Sequence, residues 1–404
     1  MGKTERRIRN FLLFILLMAL PASACAEGAG EGQHELLGPE AAEAAKIYEA
    51  DLAALAAVMR KAERKEAVTV AVIGGSITEG TVTAGKKDTA VGGRRAYADL
   101  FFGWWRQAFP ETEFRFINAG IGATDSYLGV HRVQRDVLDY RPDLVLVEFS
   151  VNDANDMKAK TSYENLVRRI LEDEAHPAVI LLFMGQTNGA SAQVAHAAVG
   201  KHYGLPAVSY KNVIGRLMEE GTYTAADLSG DEVHPSALGH RIAYELLRNL
   251  LEQAYEIRDS AGEPGTDLGK PATKEKYLNA RIADSSCLVP AECGSFAAKN
   301  VFSRFPNGWQ TAGGEGKFAF TDTFATLGVL WLRQVSGKCG RADVYVDGER
   351  KATLDGNFPG GWGDYAAAKE VYASGEPAEH LVEIVMQEGD RDKLFTLLGF
   401  LLAD

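Results

Sequence analysis

The stretch VTVAVIGGSIT, residues 68–78, decides the fold, because an apolar run passes directly into two glycines and a serine. A run that is apolar on both faces is typical of a strand buried inside a parallel sheet. Glycines placed after such a strand let the backbone turn sharply and come close to a ligand. Ser76 therefore stands at the carboxyl end of the first predicted strand, where open α/β sheets place their functional sites.

More short apolar runs follow this strand, and helix-like segments separate them. The runs predict strands at 114–117, 144–149, 178–183 and 206–209. Amphipathic spacing predicts helices at 97–108, 128–140 and 163–174, and a last helix that contains Leu238, Ile242, Leu246 and Leu250. Buried strands that alternate with helices predict a parallel sheet covered on both faces, which we place at residues 67–256. Upstream, residues 27–66 indicate a linker and then one helix over 40–66.

The composition and periodicity of the sequence change after the last predicted helix. Residues 257–273 have the Gly, Pro and acidic composition of a linker. Beyond them polar and apolar residues alternate, and ADVYVDGE at 342–349 predicts a strand that enters an Asp347-Gly348 hairpin turn. Further alternating runs lie at 380–385 and 395–402. We therefore predict that residues 274–404 form a second, smaller domain, an all-β sandwich.

The first 26 residues have the pattern of an export signal, with a basic start, an apolar run at 11–20 and a small-residue stretch. The apolar run is shorter than the roughly 20 residues of a membrane span, so a retained membrane anchor is the less favoured alternative. After export, either cleavage follows Ala24 or Ala26, or Cys25 is lipidated as in a bacterial lipoprotein. Both fates predict an exported protein, extracellular or associated with the cell envelope. Only a lipidated Cys25 would tether it to a membrane.

Composition excludes some classes of protein. The chain is 46% hydrophobic and 24% charged, which is typical of globular domains, and its formal net charge of −12 argues against a nucleic-acid partner. Beyond Cys25 three cysteines remain, and a small disulfide loop between Cys287 and Cys293 is one option. No C-x-x-C pair occurs, so a structural zinc site has no support.

Three further segments carry residue types suited to catalysis. In DEVHP, residues 231–235, Asp231 precedes His234 by three residues and can orient its ring, leaving Nε2 free to take a hydroxyl proton. Asn152 follows the third predicted strand and could aim its amide at an oxyanion beside Ser76. The small-residue loop NAGIGAT, residues 118–124, follows the second strand and could present a backbone N–H to the same oxyanion.

Each of these segments also has a purely structural interpretation. Ser76 could cap the next helix or belong to a phosphate-binding glycine loop, although neither the Walker nor the dinucleotide pattern is present. Asp231 could only help to cap a helix, Asn152 could form an Asx-turn, and the loop at 118–124 could be a plain tight turn. Taken singly, none of the segments decides between these interpretations.

Together, and in this order, the segments resemble the four signature blocks of the SGNH (GDSL-type) hydrolases over residues 67–255. The matching blocks are Gly74-Gly75-Ser76, the loop at 118–124, Ser150-Val151-Asn152-Asp153 and Asp231-Glu232-Val233-His234. The sequence departs from the family at Gly75, where an Asp is usual, at Ser150 instead of Gly, and at Ala123, which aligns with the oxyanion glycine. An α/β-hydrolase is a weaker match, because no G-x-S-x-G elbow surrounds Ser76.

The resemblance implies a three-layer α/β/α, flavodoxin-like domain and a serine esterase mechanism. Ser76 is the implied nucleophile, and Asp231 and His234 complete the triad. The implied oxyanion hole consists of the Ser76 N–H, the N–H of either Gly122 or Ala123, and the Asn152 amide. This mechanism needs neither a metal nor a cofactor.

We predict a carbohydrate O-deacetylase that hydrolyses short acyl esters, with an acylated glycan or small molecule as substrate. One alternative is a lipid or lysophospholipid acyl-ester hydrolase, although no extra apolar stretch suggests an acyl tunnel. The other alternative is a non-catalytic, glycan-binding surface protein. Four aromatic residues of the second domain could stack on sugars or simply fill its core: Trp309, Trp331, Trp362 and Tyr365.

Overall fold

A five-stranded parallel sheet lies at the centre of the first domain in the computed structural model, which describes residues 36–91, 93, 95–265 and 267–404. Its strands are β1 (Val68–Gly74), β2 (Phe114–Gly120), β3 (Leu144–Glu148), β4 (Ala178–Phe183) and β5 (Ala207–Ser209). Their order across the sheet is β2-β1-β3-β4-β5. This doubly wound order places a topological switch point between β1 and β3, and it confirms the predicted flavodoxin-like sheet.

Helices cover both faces of this sheet, as the continuous apolar strands require. The helices are α1 (Pro39–Ala44), α2 (Ala53–Glu63), α3 (Ser76–Glu79), α4 (Tyr97–Ala108), α5 (Ser126–Asp136), α6 (Met157–Leu171), α7 (Gln193–His202), α8 (Tyr210–Glu219), α9 (Ala225–Leu228) and α10 (Ala237–Ile257). On one face, α5, α6 and α7 share a buried core with alternate residues of β1, β3 and β4. The long helix α10 packs against α2, α4 and α8.

The single helix predicted over residues 40–66 is wrong, because the chain leaves the helix between α1 and α2. There the backbone bonds to distant segments instead of to itself: Asp51 N–H donates to the Gly204 carbonyl at 2.9 Å, and Ser209 N–H donates to the Ala45 carbonyl at 2.9 Å. The Asp51 carboxylate then accepts from the Ala53 N–H at 2.8 Å, where α2 begins. Tertiary contacts of this kind override helix propensity.

The second domain is all-β, as predicted, and its eight strands form one antiparallel sheet. The strands are β6 (Arg281–Ala283), β7 (Ala297–Lys299), β8 (Gly308–Thr311), β9 (Phe318–Arg333), β10 (Arg341–Val346), β11 (Glu349–Asp355), β12 (Tyr365–Met386) and β13 (Phe395–Ala403). Asp347 and Gly348 both have positive φ, which confirms the tight turn between β10 and β11. Side chains from strands far apart in the sheet, such as Trp309 and Leu354, meet in one core, as in a sandwich.

The β domain (residues 281–403) packs closely on helix α5 of the α/β domain (residues 39–257). Leu330, Leu398 and Leu401 of the β domain belong to the same buried cluster as residues of α5. Tyr127 of α5 reaches the backbone of β9 so closely that a Cβ at Gly328 would lie 2.1 Å from its hydroxyl oxygen. The two domains therefore share a packed interface at this helix.

Other sequence-based predictions concern cysteines and the amino terminus. Cys287, Cys293 and Cys339 are all free thiols, so the disulfide loop considered between the first two is not formed. Within the described residues, no helix is long and apolar enough to cross a membrane. The predicted export signal at 1–26, including Cys25, lies outside the described residues.

Candidate active site

The strand order brings three of the sequence blocks to one edge of the sheet. Strand β1 lies between β2 and β3, and all three run parallel. Their carboxyl ends therefore carry the loop at 121–124, Ser76 and Asn152 side by side. Ser76 is the first residue of α3 and is partly exposed.

Gly75 explains one departure from the family pattern. A Cβ at this position would lie only 2.3 Å from the Oδ1 atom of Asn152. The amide of Asn152 thus packs against the backbone immediately before Ser76, in space that a side chain at residue 75 would fill. Its Oδ1 is buried and has no hydrogen-bond partner among the described residues. The position of the Asn152 amide therefore requires a residue without a side chain at position 75.

The loop before α10 brings Asp231 and His234 to the same edge. Within it, Glu232 adopts a left-handed φ of +71°, which folds the carboxylate of Asp231 back toward the residues that follow. That carboxylate accepts hydrogen bonds from the Val233 N–H at 3.0 Å and the His234 N–H at 2.7 Å. The Thr83 hydroxyl stabilises the loop by donating a hydrogen bond to the His234 carbonyl at 2.6 Å. The backbone therefore fixes the two side chains in one orientation.

Ser76, His234 and Asp231 form a continuous chain of hydrogen bonds. The Ser76 Oγ lies 2.8 Å from His234 Nε2, and His234 Nδ1 lies 2.7 Å from Asp231 Oδ2. Partial burial acts to raise the pKa of Asp231, but the hydrogen bonds from the His234 backbone and ring outweigh it, and the pKa lies below its ordinary value. A carboxylate on Nδ1 selects the tautomer in which Nε2 can accept a proton from Ser76.

The loop at 118–124, called the oxyanion loop here after its candidate role, holds the two candidate backbone donors in different environments. The N–H of Gly122 donates to Glu79 Oε2 at 2.8 Å and is therefore occupied. Ala123 has a left-handed φ of +58°, a conformation that costs a non-glycine residue about 1–2 kcal/mol. No described residue accepts a hydrogen bond from the Ala123 N–H. Of the two donors, only that of Ala123 remains available to a ligand.

Sequence reasoning missed Glu148, the last residue of β3, which lies behind the glycine turn. It is fully buried, and Thr78 donates its hydroxyl to Glu148 Oε2 at 3.0 Å. Burial raises the pKa of Glu148 to about 7, although the Thr78 hydrogen bond and backbone N–H groups oppose the shift. An acidic residue at the end of an apolar strand was the available signal.

A cleft of about 290 Å³ lies next to the oxyanion loop, between the two domains. Ala123, Thr124 and Asp125 line one side, and Arg333 and Tyr365 are among the β-domain residues on the other. The four aromatic residues that the sequence offers as sugar contacts lie in different environments. Trp309 and Trp331 are buried in the β-domain core, whereas Trp362 is 69% exposed and packs 5.2 Å from the ring of Tyr365.

Comparison with known proteins places this geometry in a family. The GDSL-like lipase/acylhydrolase family model matches residues 72–242. A solved two-domain esterase (CEX) active on acetylated mannans is 30% identical, with a TM-score of 0.81 over 90% of this chain and 98% of its own. Its complex with mannopentaose gives the same identity and coverage with a TM-score of 0.80. The chain belongs to the GDSL-like lipase/acylhydrolase family. No curated protein sequence matches it.

As a GDSL-like acylhydrolase, the chain is a serine ester hydrolase, and the structural match includes the β domain as well as the α/β domain. The non-enzymatic alternative is therefore wrong. The three departures from the family pattern have different structural contexts. Gly75 makes room for Asn152, Ser150 is buried at the end of β3, and Ala123 adopts the backbone conformation that a glycine would adopt more easily. Among the described residues, no cluster of three His, Cys, Asp or Glu side chains is arranged to hold a metal.

Proposed function

We propose that the protein removes acetyl groups from a carbohydrate by a Ser-His-Asp mechanism. The observation that carries this proposal is the unbroken hydrogen-bond chain from Ser76 through His234 to Asp231, placed at a partly exposed sheet edge. The whole-length similarity to an esterase active on acetylated mannans supports a glycan as the substrate class.

In the first half of the reaction, Ser76 Oγ attacks the carbonyl carbon of the ester while its proton passes to His234 Nε2. The carbonyl electron pair moves onto oxygen, and the resulting oxyanion is held by the N–H groups of Ser76 and Ala123 and by the Asn152 amide. Collapse of this intermediate breaks the bond to the sugar oxygen. That oxygen takes the proton back from His234 and leaves as a free hydroxyl group.

In the second half, water attacks the acetyl-serine ester. His234 takes a proton from the water, and the oxyanion forms in the same place. Collapse releases acetate and returns the proton to Ser76. Asp231 remains ionised throughout, which agrees with its lowered pKa, and it stabilises the charged ring of His234.

The cleft between the domains supports a glycan substrate. It begins at Ala123, the proposed oxyanion donor, and continues to Arg333 and Tyr365 of the β domain. The exposed Trp362 beside Tyr365 supplies a flat apolar surface of the kind on which sugar rings stack. We therefore place the glycan chain along this cleft, with its acetyl group at Ser76.

The proposal is tested by acetate release from acetylated mannan, acetylated xylan and a bacterial acetylated glycan, with the Ser76→Ala variant as control. We expect release from at least one glycan, and none with Ser76→Ala. p-Nitrophenyl acetate and p-nitrophenyl palmitate, assayed in parallel, separate short-chain from lipid-type activity. Preference for palmitate would overturn the deacetylase proposal, and activity that persists in Ser76→Ala would overturn the mechanism.

We also propose export, on the strength of the amino-terminal pattern alone. Mass spectrometry of the mature protein should find a terminus at residue 25 or 27 after simple cleavage, or a diacylglycerol on Cys25 after lipidation. In the second case Cys25→Ser should release the protein from the membrane fraction. A mature protein that still begins at Met1 would contradict export by either route.

A further inference from the structure

A polar connection runs from the β domain to the oxyanion loop. Arg304 lies in the turn between β7 and β8, and its guanidinium bonds to Glu79 Oε1. Glu79 belongs to α3, three residues after Ser76, and its other oxygen accepts the Gly122 N–H at 2.8 Å. The two oxygens of one carboxylate thus join the β domain to the loop that holds Ala123.

The turn that carries Arg304 is fixed by the residue next to it. Phe305 is buried in the cluster that includes α5 residues, and Arg135 of α5 lies 5.2 Å above its ring. Phe302 stacks on Phe305 and packs against the same cluster. Arg304 therefore projects from an anchored segment and holds Glu79 at a defined distance from α5.

The oxyanion loop needs such support. Ala123 occupies a left-handed conformation that only glycine adopts easily, so its N–H direction depends on the residues around it. With the Gly122 N–H engaged by Glu79, the Ile121–Gly122 peptide has one orientation. It leads directly into the next peptide, which carries the Ala123 N–H. Without that engagement the loop could relax, and the Ala123 N–H would no longer point where the oxyanion develops.

We propose that Arg304 is a positioning residue for ester hydrolysis, acting through Glu79 and Gly122 to orient the Ala123 N–H. This inference rests on the proposed function, because it assumes that Ala123 is an oxyanion donor. A β domain that supplies Arg304 is then part of the catalytic unit, in addition to any contact it makes with substrate.

A purely stabilising role is a poor explanation of this ion pair. The side chains of Arg304 and Glu79 are 46% and 32% exposed, and pairs exposed to this extent add little to folding stability. Arg281 and Asp322 of the β domain form a comparable pair, with exposures of 40% and 30% and a distance of 3.2 Å, and Arg281 also lies 3.6 Å from Asp404. Arg281 therefore provides a control arginine that lies in the same domain as Arg304, has similar exposure and makes no contact with Glu79.

The experiment measures kcat and KM for p-nitrophenyl acetate, which is too small to depend on a glycan cleft. We expect Arg304→Ala to lower kcat about tenfold with little change in KM, since small displacements of catalytic groups cost up to about 100-fold. Arg304→Lys, which keeps the charge, should recover most of the loss, and Arg281→Ala should match the wild type. The double variant Arg304→Ala/Glu79→Ala should be no slower than Glu79→Ala alone, because both act through one contact.

Several outcomes overturn the inference. A wild-type kcat in Arg304→Ala, or a loss of equal size in Arg281→Ala, would show that Arg304 does not position the loop. A change confined to KM for glycans would make Arg304 a substrate contact instead. If Arg304→Ala fails to fold, kcat is compared between Arg304→Lys and Glu79→Gln instead. The first should stay close to the wild type and the second should be slower. Failure of the underlying mechanism is recognised separately, by activity that persists in Ser76→Ala.

Discussion

Two Asp–His pairs in the α/β domain have similar geometry and opposite surroundings. His234 and Asp231 are 2.7 Å apart, with 24% and 45% of their side chains exposed. His196 and Asp153 are 2.9 Å apart, with 0% and 2% exposed. The first pair has Ser76 beyond the ring, whereas the ring of the second stacks on Tyr163 at 3.6 Å.

This difference shows what an Asp–His pair needs before it can act in catalysis. The second ring nitrogen of His234 faces the Ser76 hydroxyl at a partly exposed edge, and in the proposed mechanism a proton moves to it and on to the substrate. The free nitrogen of His196 is buried with no partner among the described residues. Asp153 instead uses its second oxygen to accept the Ser126 N–H at 2.9 Å, and so fixes the start of α5. The buried pair serves structure.

Removing each histidine gives the largest expected contrast. His234→Ala should lower kcat by about 10⁴- to 10⁶-fold with little change in the free energy of unfolding, because a member of the proposed triad is lost from a partly exposed site. His196→Ala should instead lower the free energy of unfolding by roughly 3 kcal/mol, because Asp153 keeps a buried carboxylate with one partner fewer.

Steady-state kinetics on p-nitrophenyl acetate and urea denaturation of both variants measure this contrast. The activity of the His196→Ala variant is taken well below its denaturation midpoint, so that loss of folded protein does not imitate loss of turnover. If His196→Ala lost activity as fully as His234→Ala while remaining folded, the division between a catalytic and a structural pair would be wrong.

Adjacent residues give a second contrast, of intermediate size. Asn152 packs against Gly75 beside Ser76, and its neighbour Asp153 bonds to the buried His196. We expect Asn152→Ala to lower kcat about 100- to 1,000-fold, the usual cost of one oxyanion donor, without loss of stability. Asp153→Asn, the matched control, should mainly change the free energy of unfolding. Near-normal turnover by Asn152→Ala would remove that residue from the oxyanion hole.

The sequence predicted the parallel sheet well, because its strands are apolar on both faces and end in recognisable turns. It also predicted the Asp231–His234 contact, since a spacing of three residues allows a local hydrogen bond. It did not predict the break between α1 and α2, because that break depends on two distant partners: the Gly204 carbonyl, which accepts a hydrogen bond, and the Ser209 N–H, which donates one. Local patterns carry no information about such partners.

The same limit applies around the proposed site. His196 and Asp153 are 43 residues apart, and Arg304 and Glu79 are 225 apart, so only the tertiary fold brings them together. The choice between Gly122 and Ala123 also remained open in the sequence. It depends on which N–H is already bonded, and Glu79 occupies that of Gly122.

The smallest expected effect comes from comparing a carboxyl group in the interior with one at the edge of the sheet. Glu148 lies behind the turn that carries Ser76, where burial raises its pKa to about 7, whereas the pKa of Asp231 at the edge is lowered. Between its ordinary pKa of 4.5 and about 7, the folded protein therefore binds more protons at this residue than the unfolded chain does. The contribution of Glu148 to the free energy of unfolding must therefore fall as the pH rises from 4.5 to about 7.

The Glu148→Gln variant isolates this dependence, because glutamine resembles the neutral acid at every pH. We expect the free energy of unfolding of the wild type, relative to Glu148→Gln, to fall by on the order of 3 kcal/mol between pH 4.5 and pH 8. Denaturant titrations at several pH values measure it, and Asp125, whose pKa burial raises to about 6, titrates in both proteins and largely cancels. A difference independent of pH would mean that the interior behind Ser76 accommodates a charge as readily as the edge that holds Asp231 does.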